Sequence, residues 1–245
     1  MAASVKANVR RFAMPMAGTP LVGPQVQEKS LSESPSAKDA NRPKSRIQQK
    51  NRQIILDAAL DVCSIYGFRG TTIDQIAAKA GMSKPNLIYY FASKEDLYVC
   101  LLQDTLEQWL APLAELDPDG DPIDEIRRYI TAKIAMSRAR PKASRLFANE
   151  ILQGAPAIGG ILQGRLKILV DDKAAIIQHW IEDGALAPVD SVHLIFMIWA
   201  VTQHYADFDV QVRAVLGAET TEEDRHFDDA QAAILTVVLE GLKPR

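Results

Sequence analysis

The chain has 245 residues, of which 47% are hydrophobic and 24% are charged, and its formal net charge is −3. This balance is typical of a globular protein with a sizeable core, and it excludes a fibrous or wholly disordered chain. The charge is divided unevenly: residues 1–100 hold 14 Lys and Arg against 8 Asp and Glu, whereas residues 101–245 hold 14 against 23. A basic first part joined to an acidic second part favours a nucleic-acid-binding head on a body that avoids DNA.

The cysteines and histidines show no pattern typical of a metal site or a disulfide framework. Cys63 and Cys100 stand alone, and the four histidines are scattered. We therefore expect no metal, no cofactor and a reducing cytoplasm as the compartment. The longest apolar run, Leu194–Val201, is too short to cross a bilayer, and prolines and a glycine interrupt the apolar segment near the start that could mimic an export signal. We expect neither a membrane segment nor export.

The first residues, 1–44, are rich in Ala, Ser, Pro and Lys and lack hydrophobic periodicity, which predicts a disordered extension. Basic residues accumulate at its end. A basic arm ahead of a DNA-binding motif can reach phosphates or the minor groove, and Lys44 and Arg46 are the candidates for this role. The alternative interpretation is a solubilising tail.

The first predicted helix runs from about Arg46 to Tyr66. Its inward stripe is expected to consist of Ile55, Ala59, Val62 and Tyr66, and Gly67 is expected to end it.

Two short helices with a tight turn between them are predicted over Thr72–Lys94. Thr72 and Gln75 have the spacing of a capping box, and Gly81 supplies the positive φ that ends the first of these helices. Ser83 caps the second, where Pro85 is tolerated in the first turn. This spacing is typical of a DNA-binding helix-turn-helix, whose second helix lies in the major groove.

The second helix has a polar face opposite an apolar one. Leu87 and Phe91 lie at i and i+4 and are expected to be buried. Lysine neutralises phosphate, asparagine reads base edges, and tyrosine hydroxyls bond phosphate oxygens. An ordinary solvated helix with aromatic anchors is the alternative. Together with the caps and flanks, the DNA contacts predicted for this region are Thr72, Ser83, Lys84, Pro85, Asn86, Tyr89, Tyr90 and Lys94.

The segment GFRGTTIDQIAAKAGMSKPNLIYYFASKEDLY (Gly67–Tyr98) resembles the DNA-binding signature of the TetR family of transcriptional regulators. The resemblance implies an all-α protein with a three-helix N-terminal DNA-binding domain, which we assign to residues 45–96. It also implies a larger helical ligand-binding and dimerisation domain, assigned to residues 97–245. Helix 4, capped by Ser93, would join the two.

The remainder of the chain reads as helices, without the alternation that marks strands. After helix 4, the predicted segments are Ile123–Ser137, Pro141–Gly154, Pro156–Gly184, Ser191–Leu216 and Glu222–Gly241.

One face of the predicted helix Ser191–Leu216 combines apolar and polar residues. Phe196, Trp199, Gln203 and Asp207 follow one another at spacings of three and four. A buried amide or carboxylate without a partner costs free energy, so these groups serve either a core hydrogen-bond network or a polar ligand. From the residues alone we rank the network first.

A second polar pair, Arg145 and Asn149, lies at i and i+4 on a helix that is otherwise apolar on its inner side. Arg145 could pair with a carboxylate such as Asp207 or Glu150, which is the commoner arrangement. The alternative is a flat heterocycle, because an amide presents a donor and an acceptor side by side, as a cyclic imide requires.

The body resembles that of TetR-family regulators of pyrimidine utilisation. The matching stretches are QWLAPL (Gln108–Leu113), ASRLF (Ala143–Phe147), GALAPVDSVHLIFMIWAVTQHYADF (Gly184–Phe208) and the final GLKPR. This resemblance implies uracil as the effector, with thymine as a second candidate, and ligand contacts from Trp199, Gln203, Asp207, Trp109, Arg145 and Asn149. A different small heterocycle or amide is the alternative effector. An enzyme acting on such a ring is a remote alternative, since no catalytic set is evident.

The expected assembly is a homodimer that reads a pseudo-palindromic double-stranded DNA operator and acts mainly as a repressor. Its interface is predicted from apolar residues of the last two helices: Val192, Ile195, Ile198, Ile234, Leu235, Val238 and Leu239. The alternative is that these residues fill the core of one chain.

Overall fold

The computed structural model describes residues 46–217 and 224–244, and every regular element among them is helical. The predicted extension, including Lys44, lies outside the described residues. The helices are α1 (Arg46–Gly70), α2 (Ile73–Lys79), α3 (Lys84–Tyr90), α4 (Lys94–Ala114), α5 (Pro122–Ala139), α6 (Pro141–Leu152), α7 (Gly159–Ile161), a π-helical turn (Leu162–Leu166), α8 (Lys167–Glu182), α9 (Ser191–Asp207), α10 (Asp209–Leu216) and α11 (His226–Leu242). The all-α fold expected from the sequence is confirmed.

Two clusters of buried apolar side chains form the core. One lies among α1–α3, the first half of α4 and α6, and includes Leu87 and Leu101, both 0% exposed. The other lies among the end of α4 and helices α5, α8, α9 and α11, and includes Ile130 and Ile198. Because α4 and α6 each pack against both the head and the body, a displacement of either helix changes the packing in both parts.

The end of α1 matches the expectation at Gly67 and differs from it at Tyr66. Gly67 is non-helical, with a φ of 65° that glycine tolerates, and a further short helical stretch continues to Gly70. Tyr66, predicted to face inward, is 56% exposed, while Cys63 is buried. The predicted burial of Tyr66 was wrong because α1 extends past the edge of the head core, and its end faces an open cleft instead of packed side chains.

Two body helices are interrupted where the sequence predicted continuity. Residues 156–184 contain the π-helical turn, in a region where three glycines lower the preference for a regular α-helix. The predicted helix Ser191–Leu216 is broken at Phe208, which has non-helical φ and ψ values of −111° and 30°. No proline or glycine marks this break. Phe208 itself is exposed, whereas Val212 on α10 packs inward.

The residues expected at a dimer interface mostly fill the core of a single chain. Their buried members are Ile195, Ile198, Ile234, Val238 and Leu239. The same two helices expose other apolar side chains, namely Phe196, Met197 and Val237. Because residues 194–201 of α9 are all apolar, the pattern did not indicate which side of the helix faces inward.

Candidate DNA-binding surface and effector cavity

The turn between α2 and α3 is held by the predicted caps. The Gln75 backbone N–H donates to Thr72 Oγ1 at 3.2 Å, and the Thr72 N–H donates to Gln75 Oε1 at 2.8 Å, which completes the capping box. Gly81 has a φ of 68°, and Ser83 Oγ accepts from the Asn86 N–H at 3.4 Å. These local bonds satisfy the first N–H groups of both helices and set the angle between them.

Helix α3 packs one side into the head core and leaves the other exposed. Leu87 is 0% exposed and Phe91, just after the helix, is 1% exposed. The outward residues Lys84, Pro85, Asn86, Ile88 and Tyr89 are all exposed. Ile88 was not predicted as a DNA contact, although an isoleucine outside the buried Leu87–Phe91 stripe indicates an exposed apolar side chain. A helix with this exposed face can enter a major groove without disturbing its own core.

Tyrosines at the end of α3 meet the start of α1. Asn51 Nδ2 donates to the Tyr90 hydroxyl at 2.9 Å, and Gln48 Nε2 lies 3.5 Å from the Tyr89 hydroxyl. Tyr90 is half-buried, whereas Tyr89 is 72% exposed. The exposed Arg46 begins α1, so the predicted phosphate contacts from α1 and α3 come from adjoining elements.

The two lysines assigned to DNA occupy different surroundings. Lys84 is exposed and its ammonium lies 2.9 Å from an Asp74 carboxylate oxygen. Lys94 Nζ donates to the carbonyls of Phe68 and Thr71, both at 3.0 Å, and lies 4.4 Å from the centroid of the Phe68 ring. Lys94 therefore also stabilises the turn between α1 and α2.

A small cavity of about 70 Å³ lies in the body. Its lining comes from α4, α5, α6, the π-helical turn and α9: Leu106, Trp109, Leu110, Lys133, Phe147, Leu166, Trp199 and Gln203. Three of the predicted ligand contacts, Trp109, Trp199 and Gln203, thus meet at one place although Trp109 is far from the other two in sequence. Phe196, placed on the same predicted face, is exposed outside this cavity.

The two tryptophans give the cavity flat apolar walls. The Trp199 indole N–H donates to the Tyr129 hydroxyl at 2.5 Å, which fixes the orientation of the ring. The half-buried Gln203 side chain has no hydrogen-bond partner within the described part of the chain. Its amide therefore offers both donor and acceptor positions to a ligand.

The cavity also contains a buried lysine that the sequence analysis missed. Lys133 on α5 is 2% exposed, and its ammonium lies 4.1 Å from the centroid of the Trp109 ring. Burial lowers the pKa of Lys133 to about 7, although the charge of Asp207 opposes this shift. The helical spacing indicated its burial, because Lys133 shares one face of α5 with Ile126, Tyr129 and Ile130, which are all buried.

Asp207 lies beside the cavity without lining it. Ser144 Oγ on α6 donates to Asp207 Oδ1, and Arg145 Nη1 donates to the Ala206 carbonyl at 3.1 Å. Burial raises the pKa of Asp207, while Ser144 and the charges of Arg145 and Lys133 act in the opposite direction. The expected Arg145–carboxylate ion pair is replaced by this bond to a carbonyl.

Arg145 and Asn149 face a different space. They line a cleft of about 870 Å³ between the end of α1, the start of α4 and α6. The six residues predicted to contact ligand are therefore divided: three line the small cavity, Asp207 lies next to it, and two face the cleft.

The described residues contain no group of three potential metal-ligating side chains among His, Cys, Asp and Glu. Within these same ranges, no helix is both long and apolar enough to cross a membrane.

Comparison with known proteins gives two matches to family models. Residues 55–100 match the model described as bacterial regulatory proteins of the tetR family, and residues 102–245 match the C-terminal region of YcdC-like proteins. The HTH-type transcriptional regulator RutR of Escherichia coli (strain K12) is 48% identical over 202 residues, covering 82% of this chain and 95% of that protein. The HTH-type transcriptional dual regulator CecR of Shigella flexneri is 30% identical over 63% of this chain and 60% of its own length.

Solved structures share the fold at low sequence identity. A bacterial regulatory protein of the tetR family from Rhodococcus RHA1 aligns with a TM-score of 0.64 at 18% identity, over 80% of this chain and 98% of that one. A TetR family transcription regulator from Marinobacter aquaeolei VT8 aligns with a TM-score of 0.63 at 19% identity, over 82% of this chain and 99% of that one.

Proposed function

This chain belongs to the TetR family of transcriptional regulators, and we propose that it represses genes of pyrimidine degradation until uracil releases it from DNA. The observation that carries the effector assignment is the meeting of Trp109, Trp199 and Gln203 in one cavity. A pyrimidine needs a flat apolar surface for its ring and a paired donor and acceptor for its imide edge. The tryptophans offer the first, and the unpaired amide of Gln203 offers the second.

The lining of the cavity links uracil binding to the position of α4. Leu106, Trp109 and Leu110 all belong to α4, which begins just after the recognition helix α3.

Displacement of α4 changes the position of the head, and this is the proposed route to DNA release. Uracil shifts the equilibrium only by its difference in affinity between the two states, so it must bind more tightly to the state in which α4 is displaced. We assign residues 45–96 to the DNA-binding head and residues 97–245 to the effector-binding and dimerisation body. DNA contacts are assigned to Arg46, Thr72, Ser83, Lys84, Pro85, Asn86, Tyr89, Tyr90 and Lys94.

A homodimer is the proposed DNA-binding form. The apolar side chains that α9 and α11 expose, Phe196, Met197 and Val237, support an interface built from these two helices. Two heads about 34–36 Å apart would read half-sites one DNA turn apart. We propose that the dimer acts in the cytoplasm, where the genome and pyrimidine pools meet.

The test is operator binding measured by fluorescence anisotropy at one salt concentration, because phosphate contacts make affinity depend steeply on salt. Operator fragments are selected from genomic DNA and titrated with uracil, thymine, cytosine or no base. We expect uracil to release the DNA. Chromatography of the uracil before and after incubation checks for turnover, which a sensor does not produce.

Gln203→Ala is the informative variant, and Gln178→Ala, at an exposed position on α8 that pairs with Glu182, is its matched control. We expect Gln203→Ala to need at least about tenfold more uracil, corresponding to about 1.4 kcal/mol, while its operator affinity stays within twofold of the parent. Unchanged uracil sensitivity in this variant would assign Gln203 to the core instead of the ligand.

A further inference from the structure

Lys133 is buried without the partners that a buried ammonium normally has. It is 2% exposed, and among the described residues no hydrogen bond or ion pair is made by its Nζ. Its close contact is the face of Trp109, 4.1 Å from the ring centroid. Burial of a charge without hydrogen bonds is costly, and a cation–π contact offsets only part of that cost. The ammonium thus offers N–H donors to whatever occupies the cavity.

The groups around Lys133 leave its charge incompletely balanced. Asp207 on α9 is the carboxyl that acts on it, but that carboxyl is engaged by Ser144 of α6 and is also influenced by Arg145 and His204. The wall from α4 contributes Trp109, and Tyr129 on α5 is occupied with Trp199. None of these groups places an oxygen acceptor within hydrogen-bonding reach of Nζ.

We propose, on the basis of the function proposed above, that Lys133 restricts the effector to rings that present two oxygen acceptors, of which cyclic imides are the simplest. An imide has a carbonyl on each side of its N–H. Gln203 pairs with the N–H and one carbonyl, while the Lys133 ammonium donates to the other. The charged ammonium can only donate, so a ring without the second oxygen leaves the charge unpaired.

This arrangement couples effector binding to proton uptake. In the free protein, burial lowers the pKa of Lys133 to about 7. A carbonyl that accepts from the ammonium stabilises the charged form, so the pKa is higher in the complex. Binding near neutral pH therefore takes up protons, and uracil affinity is greatest below pH about 7 and decreases as the pH rises through the pKa of the complex.

Isothermal titration of the full chain with uracil tests this, in pairs of buffers with different heats of ionisation, from pH 6 to 9. The variants are Lys133→Met, which removes both donor and charge, and Lys133→Gln, which keeps a donor without the charge. Lys167→Met, at an exposed lysine on α8, is the matched control. We expect at least about tenfold weaker uracil binding for Lys133→Met at pH 7, no proton uptake in either variant, and parental behaviour of the control.

Thio-substituted and single-carbonyl rings identify the oxygen. Sulfur accepts hydrogen bonds poorly, so either 2-thiouracil or 4-thiouracil should bind the parent much less well than uracil, and this difference should shrink in Lys133→Met. A single-carbonyl ring that lacks the oxygen identified in this way (4-pyrimidinone for O2, 2-pyrimidinone for O4) should bind the parent and Lys133→Met with similar affinity. Thermal unfolding without ligand controls for folding, and we expect Lys133→Met to be at least as stable as the parent, since it removes a buried unpaired charge.

Two outcomes separate this inference from the proposed function. If Lys133→Met binds uracil with the affinity and pH dependence of the parent, the role of Lys133 is overturned while uracil-dependent release of DNA stands. If the parent binds neither uracil nor thymine, the effector assignment and the role of Lys133 fall together.

Discussion

The Lys142 ammonium on α6 lies 2.7 Å from a carboxylate oxygen of Asp61 on α1, and this ion pair joins the body to the head. The other oxygen of the same carboxylate lies 3.1 Å from the Lys79 ammonium on α2. The two lysines hold the pKa of Asp61 below its usual value. Asp61 thus connects α6, the helix that contacts Asp207, with α2 of the helix-turn-helix.

Replacement of Asp61 by Asn should weaken the coupling between uracil and DNA without destroying either binding site. Both lysine side chains are about half exposed to solvent, so the loss of stability should stay below about 1 kcal/mol. We expect the uracil dissociation constant to be unchanged, while the ratio of operator affinities with and without uracil falls severalfold. Asp171→Asn removes an exposed ion pair within α8 and is the control. An unchanged ratio in Asp61→Asn would show that the Asp61 ion pair does not couple uracil binding to DNA binding.

The contribution of Asp61 to stability has a predictable pH dependence. Because its pKa is lowered in the folded protein, the stabilisation is present above the unfolded value, about 4, and is lost as the pH falls through the folded value. Urea unfolding of the parent and Asp61→Asn should therefore give curves that converge in acid. A stability difference between them that persists at the lowest pH would contradict this ion pair as its cause.

Tyr89 should be essential for operator binding and dispensable for folding. It is 72% exposed on α3, where its hydroxyl and ring edge are available to the DNA backbone. Tyr89→Ala should weaken operator binding at least about tenfold, or about 1.4 kcal/mol, with an unchanged circular dichroism melting curve. Tyr66→Ala, at an exposed tyrosine of the head on the cleft side, is the comparison. Equal operator affinity of the two variants would show that α3 does not contact the operator DNA.

Ile88 should read thymine methyl groups. Its side chain is 44% exposed on the recognition helix, and an aliphatic side chain in a major groove contacts the C5 methyl of thymine. Replacing operator thymines one at a time by deoxyuridine, which removes only that methyl, should weaken binding of the parent at one or two positions. Ile88→Ala should abolish this difference at the same positions. A constant methyl effect in the variant would assign the contact to another residue.

Val237 should lie at the dimer interface. It is 74% exposed on α11, beside a helix that also exposes Phe196 and Met197. Val237→Asp would bury a carboxylate in an apolar interface, so we expect monomers in sedimentation experiments and much weaker operator binding. Val210→Asp introduces the same charge at an 83% exposed valine of α10 and should remain dimeric. A dimeric Val237→Asp would place the interface elsewhere.

The sequence was most informative where structure depends on near neighbours in the chain. The bonds between Thr72 and Gln75, the positive φ of Gly81 and the cap at Ser83 are all made within a few residues, so composition and spacing were enough to predict them. The burial of Leu87 and Phe91 followed from helical periodicity for the same reason. Spacing placed Trp199 and Gln203 on one helix face, whereas Trp109 was added through the family resemblance, since spacing alone cannot bring α4 to α9.

Tertiary packing decided the features for which local pattern is ambiguous. Residues 194–201 of α9 are all apolar, so only contacts with α5 and α11 determine that Ile198 faces inward while Phe196 and Met197 remain outside. Tyr66 is exposed because the end of α1 lies at the cleft. Lys133 lies against the Trp109 ring because α4 packs against α5. The chain alone thus determined the all-helical fold and the helix-turn-helix, because capping and periodicity are local. Only the folded body determined which polar groups share a cavity and which lie in the cleft, because burial depends on neighbours that are distant in sequence.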